Sequence, residues 1–248
     1  MAKTENEQEF TKMLFEMQND LRSFLENNTN ATVLHNSMLE ADDLISGWIK
    51  SHPKDNHIIL SSDSDFQQLL APNVKIYNGI DKTTTTLNEI LDEKGNPKVD
   101  KSGDIIQPPD PSYYLFEKII RGDTSDNIRP AYPRASKKGT KSKVGILEAY
   151  ADRRNKGYAW NSFMKSTWTD ENGVDQVVED HFKHNTLLID LDAQPDHIKD
   201  EITTTINSVV SKSVSQIGIK FIKFCGKYQL VTLAQYSKPV VDLLAKSK

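Results

Sequence analysis

The chain has 248 residues, of which 27% are charged and 37% are hydrophobic, a composition typical of a soluble protein with one or two domains. Its net charge of -4 argues weakly against nucleic acid as a partner, although whole-chain charge hides local segregation. The single cysteine, Cys225, excludes an internal disulfide and a cysteine-rich zinc site. The sequence shows no signal-peptide core and no membrane-length apolar run, so we expect a soluble, unexported, cytoplasmic protein.

The N-terminal part of the chain predicts two amphipathic helices joined by a short strand. Apolar residues spaced by three and four predict a helix over 5–25, and a strand is expected at 31–35. A second helix follows, with Glu40, Asp42 and Asp43 in its first turn. The helix dipole favours acids there in any case, and Asp43, which points away from the apolar stripe, is expected to be merely solvated.

A short uncharged run, HIIL at 57–60, predicts a buried parallel strand. Asp63 and Asp65 follow its carboxyl end, which is where open α/β sheets bind ligands. A carboxylate pair at that position indicates a cation site. Capping of a helix that begins at Phe66 is the alternative, since Ser and Asp both cap well.

Further strands are predicted at 74–79 and 83–86, followed by a short helix to Leu91 and a loop over 92–111. Pro111 opens a helix that stops at Gly122. Just after this stop, Asp123 and Asp126 are spaced i, i+3, so on one helical turn both carboxylates would face the same way. Capping is again the alternative interpretation.

The segment 129–143, called here the basic segment, has a net charge of +6 inside an acidic chain. Such a segment is typical of a surface that binds a polyanion backbone, although a disordered, solvated loop is a competing interpretation. Helices are predicted over 174–188, from Pro195, and in the apolar runs 217–224 and 240–244. The basic residues of the segment are Arg129, Arg134, Lys137, Lys138, Lys141 and Lys143.

Carboxylates are the groups left to carry chemistry, because the sequence contains no glycine-rich phosphate loop, Cys/His dyad or nucleophile elbow. Three acidic clusters and a basic segment fit metal-assisted phosphodiester hydrolysis, in which Mg²⁺ takes oxygen ligands and a pair of ions about 3.5 to 4 Å apart activates water. Two alternatives stay open. One is a non-catalytic module that binds branched DNA, and the other is a different magnesium-dependent enzyme, such as a small ribonuclease or a phosphatase.

Three motifs, EADD at 40–43, SDSDFQQL at 62–69 and GDTSDNI at 122–128, resemble in order and spacing the acidic motifs of the structure-specific 5′-nuclease, or flap endonuclease, superfamily. The run HNTLLIDLD at 184–192 resembles the ribonuclease H branch of the T-even phages in particular. The resemblance implies an α/β fold with a parallel-sheet, PIN-like catalytic core at 1–120. It also implies a mainly helical C-terminal domain at 121–248, with a helix-turn-helix motif that includes the basic segment.

The implied activity is that of a magnesium-dependent 5′-to-3′ exonuclease and flap endonuclease, which removes RNA primers and 5′ flaps during phage-type DNA replication. Two Mg²⁺ ions, with Mn²⁺ as a substitute, are the implied cofactors. The basic segment would bind nucleic acid. The implied catalytic residues are Asp42, Asp63 and Asp65. The implied metal ligands are Glu40, Asp42, Asp63, Asp65, Asp123 and Asp126.

One departure from the superfamily concerns the N-terminal part. Members begin with a strand that bears a metal-binding aspartate, followed by a second aspartate and a basic arch, so we expect this chain to be truncated there. The implied partners are DNA and RNA–DNA duplexes with 5′ ends or flaps, a phage single-stranded-DNA-binding protein and a separate N-terminal nuclease fragment, in the host cytoplasm. The alternative is a truncated or split nuclease part that binds branched DNA without cutting on its own.

Overall fold

The computed structural model describes residues 5–141 and 143–246, which divide into two units. The larger unit is Leu39–Ile202, and the smaller consists of the described parts of Met1–Met38 and Thr203–Lys248. The predicted division between 120 and 121 falls inside the larger unit. The predicted division separates a catalytic core from a DNA-binding region by function, and it stays a prediction.

The regular elements follow one another as mixed helices and short strands. The helices are α1 (Glu5–Asn28), α2 (Ala41–Ser51), α3 (Pro111–Arg121), α4 (Ile146–Asp152), α5 (Tyr158–Met164), α6 (Val178–Ile189), α7 (Asp196–Asn207), α8 (Ile217–Lys227), α9 (Val231–Gln235) and α10 (Ser237–Leu244). A 3-10 helix spans Ser64–Leu69. The strands are β1 (His57–Leu60), β2 (Val74–Asn78), β3 (Thr83–Thr85), β4 (Ile90–Leu91), β5 (Thr167–Thr169) and β6 (Asp175–Val177).

The main sheet of the larger unit has the order β1-β2-β3-β4 and is mixed. β1 and β2 run parallel, with His57 opposite Val74, whereas β2–β3 and β3–β4 are antiparallel. The predicted parallel sheet is therefore limited to one strand pair, because a tight turn after Asn78 returns the chain antiparallel. The short helix predicted up to Leu91 is wrong, since Ile90 pairs with Thr85 as part of β4.

One face of this sheet forms a small apolar core. Ile59 on β1 and Val74 and Ile76 on β2 are buried with Phe66. Partly buried side chains of α2, Ile45 among them, pack against this cluster. The strand predicted at 57–60 is confirmed and pairs parallel with β2, but its predicted burial is wrong, since Ile58 and Leu60 are exposed and only Ile59 is buried. Burial along β1 alternates, because successive side chains point to opposite faces of a sheet.

A second core of the larger unit gathers α3, α4, α5 and α6. Its buried members include Ile120, Ile146 and Phe163. The predicted helix from Pro111 is confirmed: Asp110 accepts a hydrogen bond from the backbone N–H of Tyr113 at 2.8 Å and caps the helix. The helix predicted over 174–188 begins only at Val178, because the residues before it pair as β6 with β5.

The smaller unit packs α1 against the C-terminal helices. Phe24 is buried with Phe221 and Cys225, and the predicted helix over 5–25 is confirmed as α1. The strand predicted at 31–35 is wrong. Backbone groups near it are satisfied otherwise: the hydroxyl of Thr29 accepts from the N–H of Ala31 at 3.1 Å. Within the described residues, no helix has the length and apolarity needed to cross a bilayer.

Candidate metal centre and nucleic-acid interface

Three carboxylates from separate parts of the sequence meet in the larger unit. Asp65, Asp123 and Asp126 each offer a carboxylate oxygen, and these atoms lie within 4.8 Å of one another. Asp65 comes from the 3-10 helix after β1, and the other two come from the turn after α3. Gly122 begins that turn with a φ of 70°, a conformation that favours glycine. Asp65 and Asp123 are 58 positions apart in the sequence, and the fold brings their two motifs into one group.

Glu40 and Asp42 extend this group across a cavity. They line a space of about 450 Å³ together with Asp65 and Asp126. The pKa of Glu40 is raised, chiefly by the negative charge of Asp42, then by burial, and further by Asp43 and Asp126. The carboxylates therefore repel one another, and this excess of negative charge favours a bound cation. The name acidic site is used below for Glu40, Asp42, Asp65, Asp123 and Asp126.

Asp43 is not solvated as expected from its place on the helical wheel. It is 8% exposed, and its carboxylate accepts a hydrogen bond from the backbone N–H of Glu40 at 3.1 Å. The side-chain amide of Gln194 also donates to it, at 2.6 Å. The expectation was wrong because an acid at the third helical position turns back over the helix start, as in a capping box.

Asp63 is placed differently from the other predicted ligands. Its side chain is exposed and accepts a hydrogen bond from the backbone N–H of Asp65 at 2.9 Å, which caps the 3-10 helix. Asp63 belongs neither to the group of three carboxylates nor to the residues that line the cavity. The structure thus shows the capping arrangement for Asp63, and its role as a ligand or catalytic residue stays a prediction.

Lys118 supplies positive charge within the acidic site. Its ammonium group forms ion pairs with Asp65 and, at 2.6 Å, with Asp123, and its side chain is only 12% exposed. The hydrogen bond from Lys118, with a second from Ser125, holds the pKa of Asp123 well below its usual range. Sequence reasoning did not single out Lys118. Its signal was its place on the half-buried stripe of α3, one turn after Tyr114.

The side chains of Gln68 and Gln194 link the segment 189–194 to other residues that line the cavity. The side-chain amide of Gln68 donates to the carbonyl of Ile189 at 3.2 Å and accepts from the N–H of Leu191 at 3.1 Å. Gln194 binds Asp43, as described above. These contacts position the chain after α6 beside the acids of α2. Neither glutamine was predicted as a site residue, although Gln68 lies within the SDSDFQQL motif.

The basic segment lies between α3 and α4 and presents its charges to solvent. All six of its basic residues are exposed. The ammonium groups of Lys137 and Lys143 lie 5.9 and 5.1 Å from the ring centroids of Tyr113 and Tyr132. Arg129 pairs with Glu171 at the surface. The charges therefore lie at the surface, where that of Arg129 is already paired.

The backbone of the basic segment is packed and hydrogen-bonded in its described part. Ala131 and Tyr132 are buried in the core of the larger unit, and the carboxylate of Glu148 accepts from the N–H groups of Gly139 and Gly145 at 3.0 Å each. The segment is thus an ordered loop, unlike the disordered loop of the competing interpretation. No helix occurs in the described residues between α3 and α4, and the predicted helix-turn-helix motif stays a prediction.

Solved structures with a similar fold come from a bacteriophage nuclease. The phage T5 D15 protein, co-crystallised with metal ions, matches with a TM-score of 0.53 and 20% identity, over 83% of this chain and 73% of that one. The phage T5 D15 flap endonuclease, in a pseudo-enzyme-product complex with DNA and metal ions, matches with a TM-score of 0.50 and 19% identity, over 84% and 74%. The chain therefore has the mixed α/β fold of the phage T5 5′-nuclease.

The sequence comparison points the same way. No family profile matches the chain. The chain is 28% identical over 195 residues to the ribonuclease H of Enterobacteria phage T4, a match that covers 74% of this chain and 53% of that protein. The match to the T4 ribonuclease H bears out the predicted resemblance to the 5′-nuclease superfamily. The chain spans about half the length of the T4 relative.

Proposed function

We propose that this chain hydrolyses phosphodiester bonds in RNA primers and 5′ flaps, as a magnesium-dependent 5′-to-3′ exonuclease and flap endonuclease of phage-type DNA replication. The observation that carries the proposal is the convergence of Glu40, Asp42, Asp65 and Asp126 on one cavity, with Asp123 adjoining. Its substrates are DNA and RNA–DNA duplexes with 5′ ends or flaps. The T4 and T5 relatives, one named a ribonuclease H and one a flap endonuclease bound to DNA, support this substrate class.

The donor set of the acidic site fits hard divalent cations, which take carboxylate oxygens and water as ligands. We propose that Glu40, Asp42, Asp63 and Asp65 hold one Mg²⁺ ion, directly or through its water, and that Asp123 and Asp126 serve a second, with Mn²⁺ as a substitute. When bound, such ions supply Lewis acidity and lower the pKa of coordinated water. The raised pKa of Glu40 supports this proposal, because it reports crowded negative charge around that carboxyl.

The other residues of the site hold these acids and the substrate in place. Lys118 orients Asp65 and Asp123 through its two ion pairs and neutralises part of their charge. The basic segment binds the phosphate backbone through its exposed cations, a contact that weakens with salt and carries little base information. We propose that α3, α4 and the loop between them form the helix-turn-helix region of the superfamily and grip the duplex beside the acidic site.

The direct experiment compares cleavage of labelled oligonucleotides by matched variants. We expect the protein to cut a 5′-flap DNA and an RNA-primed duplex when Mg²⁺ is added, and EDTA to stop it. Asp65→Asn is expected to abolish cleavage, because it removes a carboxylate shared by the cavity and the group of three. Asp81→Asn, an exposed acid in a turn, is the control and should leave cleavage unchanged. Cleavage that survives Asp65→Asn and EDTA would contradict the proposal.

A second candidate function is that of a nuclease part that binds branched DNA without cutting alone. The observation that favours it is the basic segment, whose exposed cations bind a phosphate backbone without a metal ion. This candidate predicts that flap DNA is bound in EDTA and that Asp65→Asn keeps or increases the affinity. Cleavage would then be missing with Mg²⁺ for the isolated chain. Anisotropy and cleavage assays on the same samples separate the two functions.

A further inference from the structure

One face of α8 carries a row of lysines. Lys220, Lys223 and Lys227 are spaced i, i+3 and i+7, so they follow one another along about 10 Å of the helix. The side chain of Phe221, also on α8, is buried with Phe24 of α1, so the row lies on an element that is held by a core. The three lysines are called the lysine row below.

The sequence around the lysine row has the same sign of charge. Positions 203–246 contain six lysines, one aspartate and no other charged side chain, inside a chain whose net charge is -4. α8 also has no acid in its first turn, which leaves the positive end of its helix dipole uncompensated next to Lys220. The C-terminal part of the smaller unit is therefore a second positively charged region, separate in sequence from the basic segment.

The lysine row lines a groove between α8 and α1, with a volume of about 410 Å³. Lys227 forms an ion pair with Asp20 in this groove. Lys220 and Lys223 form no ion pair with the described residues, so their two ammonium groups are uncompensated. Hydrogen-bond donors of α1 line the groove beside them, namely the hydroxyl of Ser23 and the side-chain amide of Asn28.

Aromatic rings provide the apolar part of the same groove. Phe24 and Phe224 line it, with their ring centroids 4.7 Å apart. The ring of Tyr228 follows at 5.1 Å from that of Phe224. Phe224 is only half-buried, so part of its ring surface is open to a ligand. A positively charged groove with aromatic rings along it is the arrangement by which proteins bind single-stranded nucleic acid without sequence preference.

We propose that the groove between α1 and α8 is a second nucleic-acid site, which binds a single strand. Lys220 and Lys223 contact its phosphates, and one of its bases stacks on the open surface of Phe224. The lysine row extends over about 10 Å, which is the length of about three nucleotides of a stacked strand. Binding here requires neither the acidic site nor a metal ion, so this site adds to the proposed function without depending on it.

A single strand fits the groove better than other polyanions do. A duplex keeps its bases stacked inside, so it would contact the lysines and leave the ring of Phe224 without a partner. A run of acidic side chains pairs with ammonium groups but offers no flat ring to an aromatic surface. The combination of free lysines and an open ring therefore favours nucleic acid with accessible bases.

The test measures binding of a single strand to the full chain by fluorescence anisotropy, in EDTA and across a salt series. The probe is a labelled oligothymidylate of about twelve nucleotides, within the usual range of site sizes. We expect Lys220→Ala/Lys223→Ala to weaken binding about tenfold at low salt. The steepness of the salt dependence should fall by about 1.4, since each phosphate contact of a single strand contributes about 0.7.

The matched control is Lys238→Ala/Lys246→Ala, which removes two exposed lysines of the same unit and changes the net charge equally. It should bind the oligothymidylate as the wild type does. Both comparisons are repeated with alanine at Lys137, Lys138 and Lys141, so that the basic segment does not mask the loss. Circular dichroism checks that every variant folds.

The groove proposal is overturned if the wild type does not bind the probe at low salt, or if the test and control variants lose affinity equally or not at all. It is also overturned by an equal loss of affinity for a blunt duplex, or by a polyglutamate of equal charge that competes as well as the oligothymidylate.

The readout is independent of cleavage. A chain that cuts flaps but keeps its single-strand affinity in Lys220→Ala/Lys223→Ala contradicts the groove proposal alone. Binding that depends on these two lysines, in a chain that cuts no substrate, contradicts the proposed function alone.

Discussion

Lys118 shows how a single side chain tunes the acidic site. Its ammonium lies between Asp65 and Asp123, two carboxylates that would otherwise repel each other. The same charge opposes a cation that approaches these carboxylates. Lys118 therefore stabilises the fold near the site, and under the proposed function it lowers the affinity of the acidic site for metal ions.

We expect Lys118→Met to bind Mn²⁺ more tightly, by about tenfold, because one competing positive charge is removed, a change equivalent to ~1.4 kcal/mol. Isothermal titration calorimetry measures the affinity. The variant should also melt at a lower temperature in EDTA and recover when Mn²⁺ is added. Lys75→Met, at an exposed position on β2, is the control. Unchanged or weaker Mn²⁺ binding by Lys118→Met would argue against this role.

Ionisation of Asp123 makes the stability of the folded protein depend on pH. Its pKa in the folded protein is held below the usual range by Lys118 and Ser125. A carboxyl with a lowered pKa stabilises the fold above its unfolded pKa of about 3.9, and this contribution is lost as pH falls towards the folded value. Asp123→Asn is therefore expected to cost about 1 to 3 kcal/mol of stability at pH 7.

Urea unfolding in EDTA at pH 7 and at pH 3 tests this expectation. The gap between the wild type and Asp123→Asn should shrink at the lower pH, because the carboxyl of Asp123 is then largely protonated in the unfolded chain, which stabilises the unfolded state of the wild type alone. Asp81→Asn should match the wild type at both values. An equal gap at both pH values would show that the ion pair with Lys118 is not its source.

At the scale of elements, the basic segment is a packed loop whose cations face solvent. Each lysine that contacts a DNA phosphate increases the steepness of the fall of log affinity with log salt by about 0.9. We expect replacement of Lys137, Lys138 and Lys141 by alanine to reduce this slope by about 2 to 3 and to weaken binding of all flap sequences alike.

Fluorescence anisotropy with 5′-flap DNA across a salt series, in EDTA, measures the slope. The control carries alanine at three exposed lysines elsewhere in the larger unit, Lys54, Lys94 and Lys101. It has the same net charge as the test variant. Equal losses of affinity in the two variants would mean that net charge, rather than the basic segment, binds the DNA.

The elements that the sequence predicted well have strong local signals. α3 begins at a proline with an aspartate cap and ends at a glycine, and β1 is a short apolar run before a polar turn. Strand pairing was less predictable, because the antiparallel return after Asn78 depends on a turn and on partners distant in sequence. The region 31–35 was predicted as a strand, but backbone groups at and beside it form other hydrogen bonds. The N–H of Ala31 donates to the hydroxyl of Thr29, and the N–H of Asn30 donates to the carbonyl of Leu244.

The acidic residues of the candidate site could be predicted from the sequence, whereas Lys118, which pairs with two of them, could not. The three acidic motifs indicated that Glu40, Asp65 and Asp126 would meet, and they line one cavity. Lys118 was missed because a lysine within a helix is usually solvated, and only tertiary packing buries it. The exposure of Asp43 was predicted wrongly because helical periodicity gives only the direction in which a side chain leaves the helix. It does not show that the Asp43 carboxylate accepts a hydrogen bond from the N–H of Glu40 at the helix start.

At the scale of the whole molecule, the smaller unit is built from both ends of the described chain. Phe24 of α1 packs with Phe221 and Cys225 of α8. We expect Phe221→Ala to destabilise this unit by about 3 to 5 kcal/mol, the usual cost of truncating a buried aromatic side chain. Cys225 is the single cysteine and is 1% exposed, so its reaction with a thiol reagent reports opening of the unit.

The measurement compares the rate of Cys225 labelling in the wild type, Phe221→Ala and Phe163→Ala. Phe163 is buried in the larger unit, so its truncation destabilises a different core. Labelling should accelerate strongly in Phe221→Ala. A similar acceleration in Phe163→Ala would show instead that the two units unfold together.

The pairing of α1 with α8 has a consequence for biosynthesis. At ribosomal rates of about 5 to 20 residues per second, α1 emerges roughly ten seconds or more before α8 is made. Throughout that delay the ring of Phe24 has none of its eventual aromatic neighbours, Phe221 and Phe224. The nascent polypeptide is thus exposed to aggregation at α1 until α8 is made.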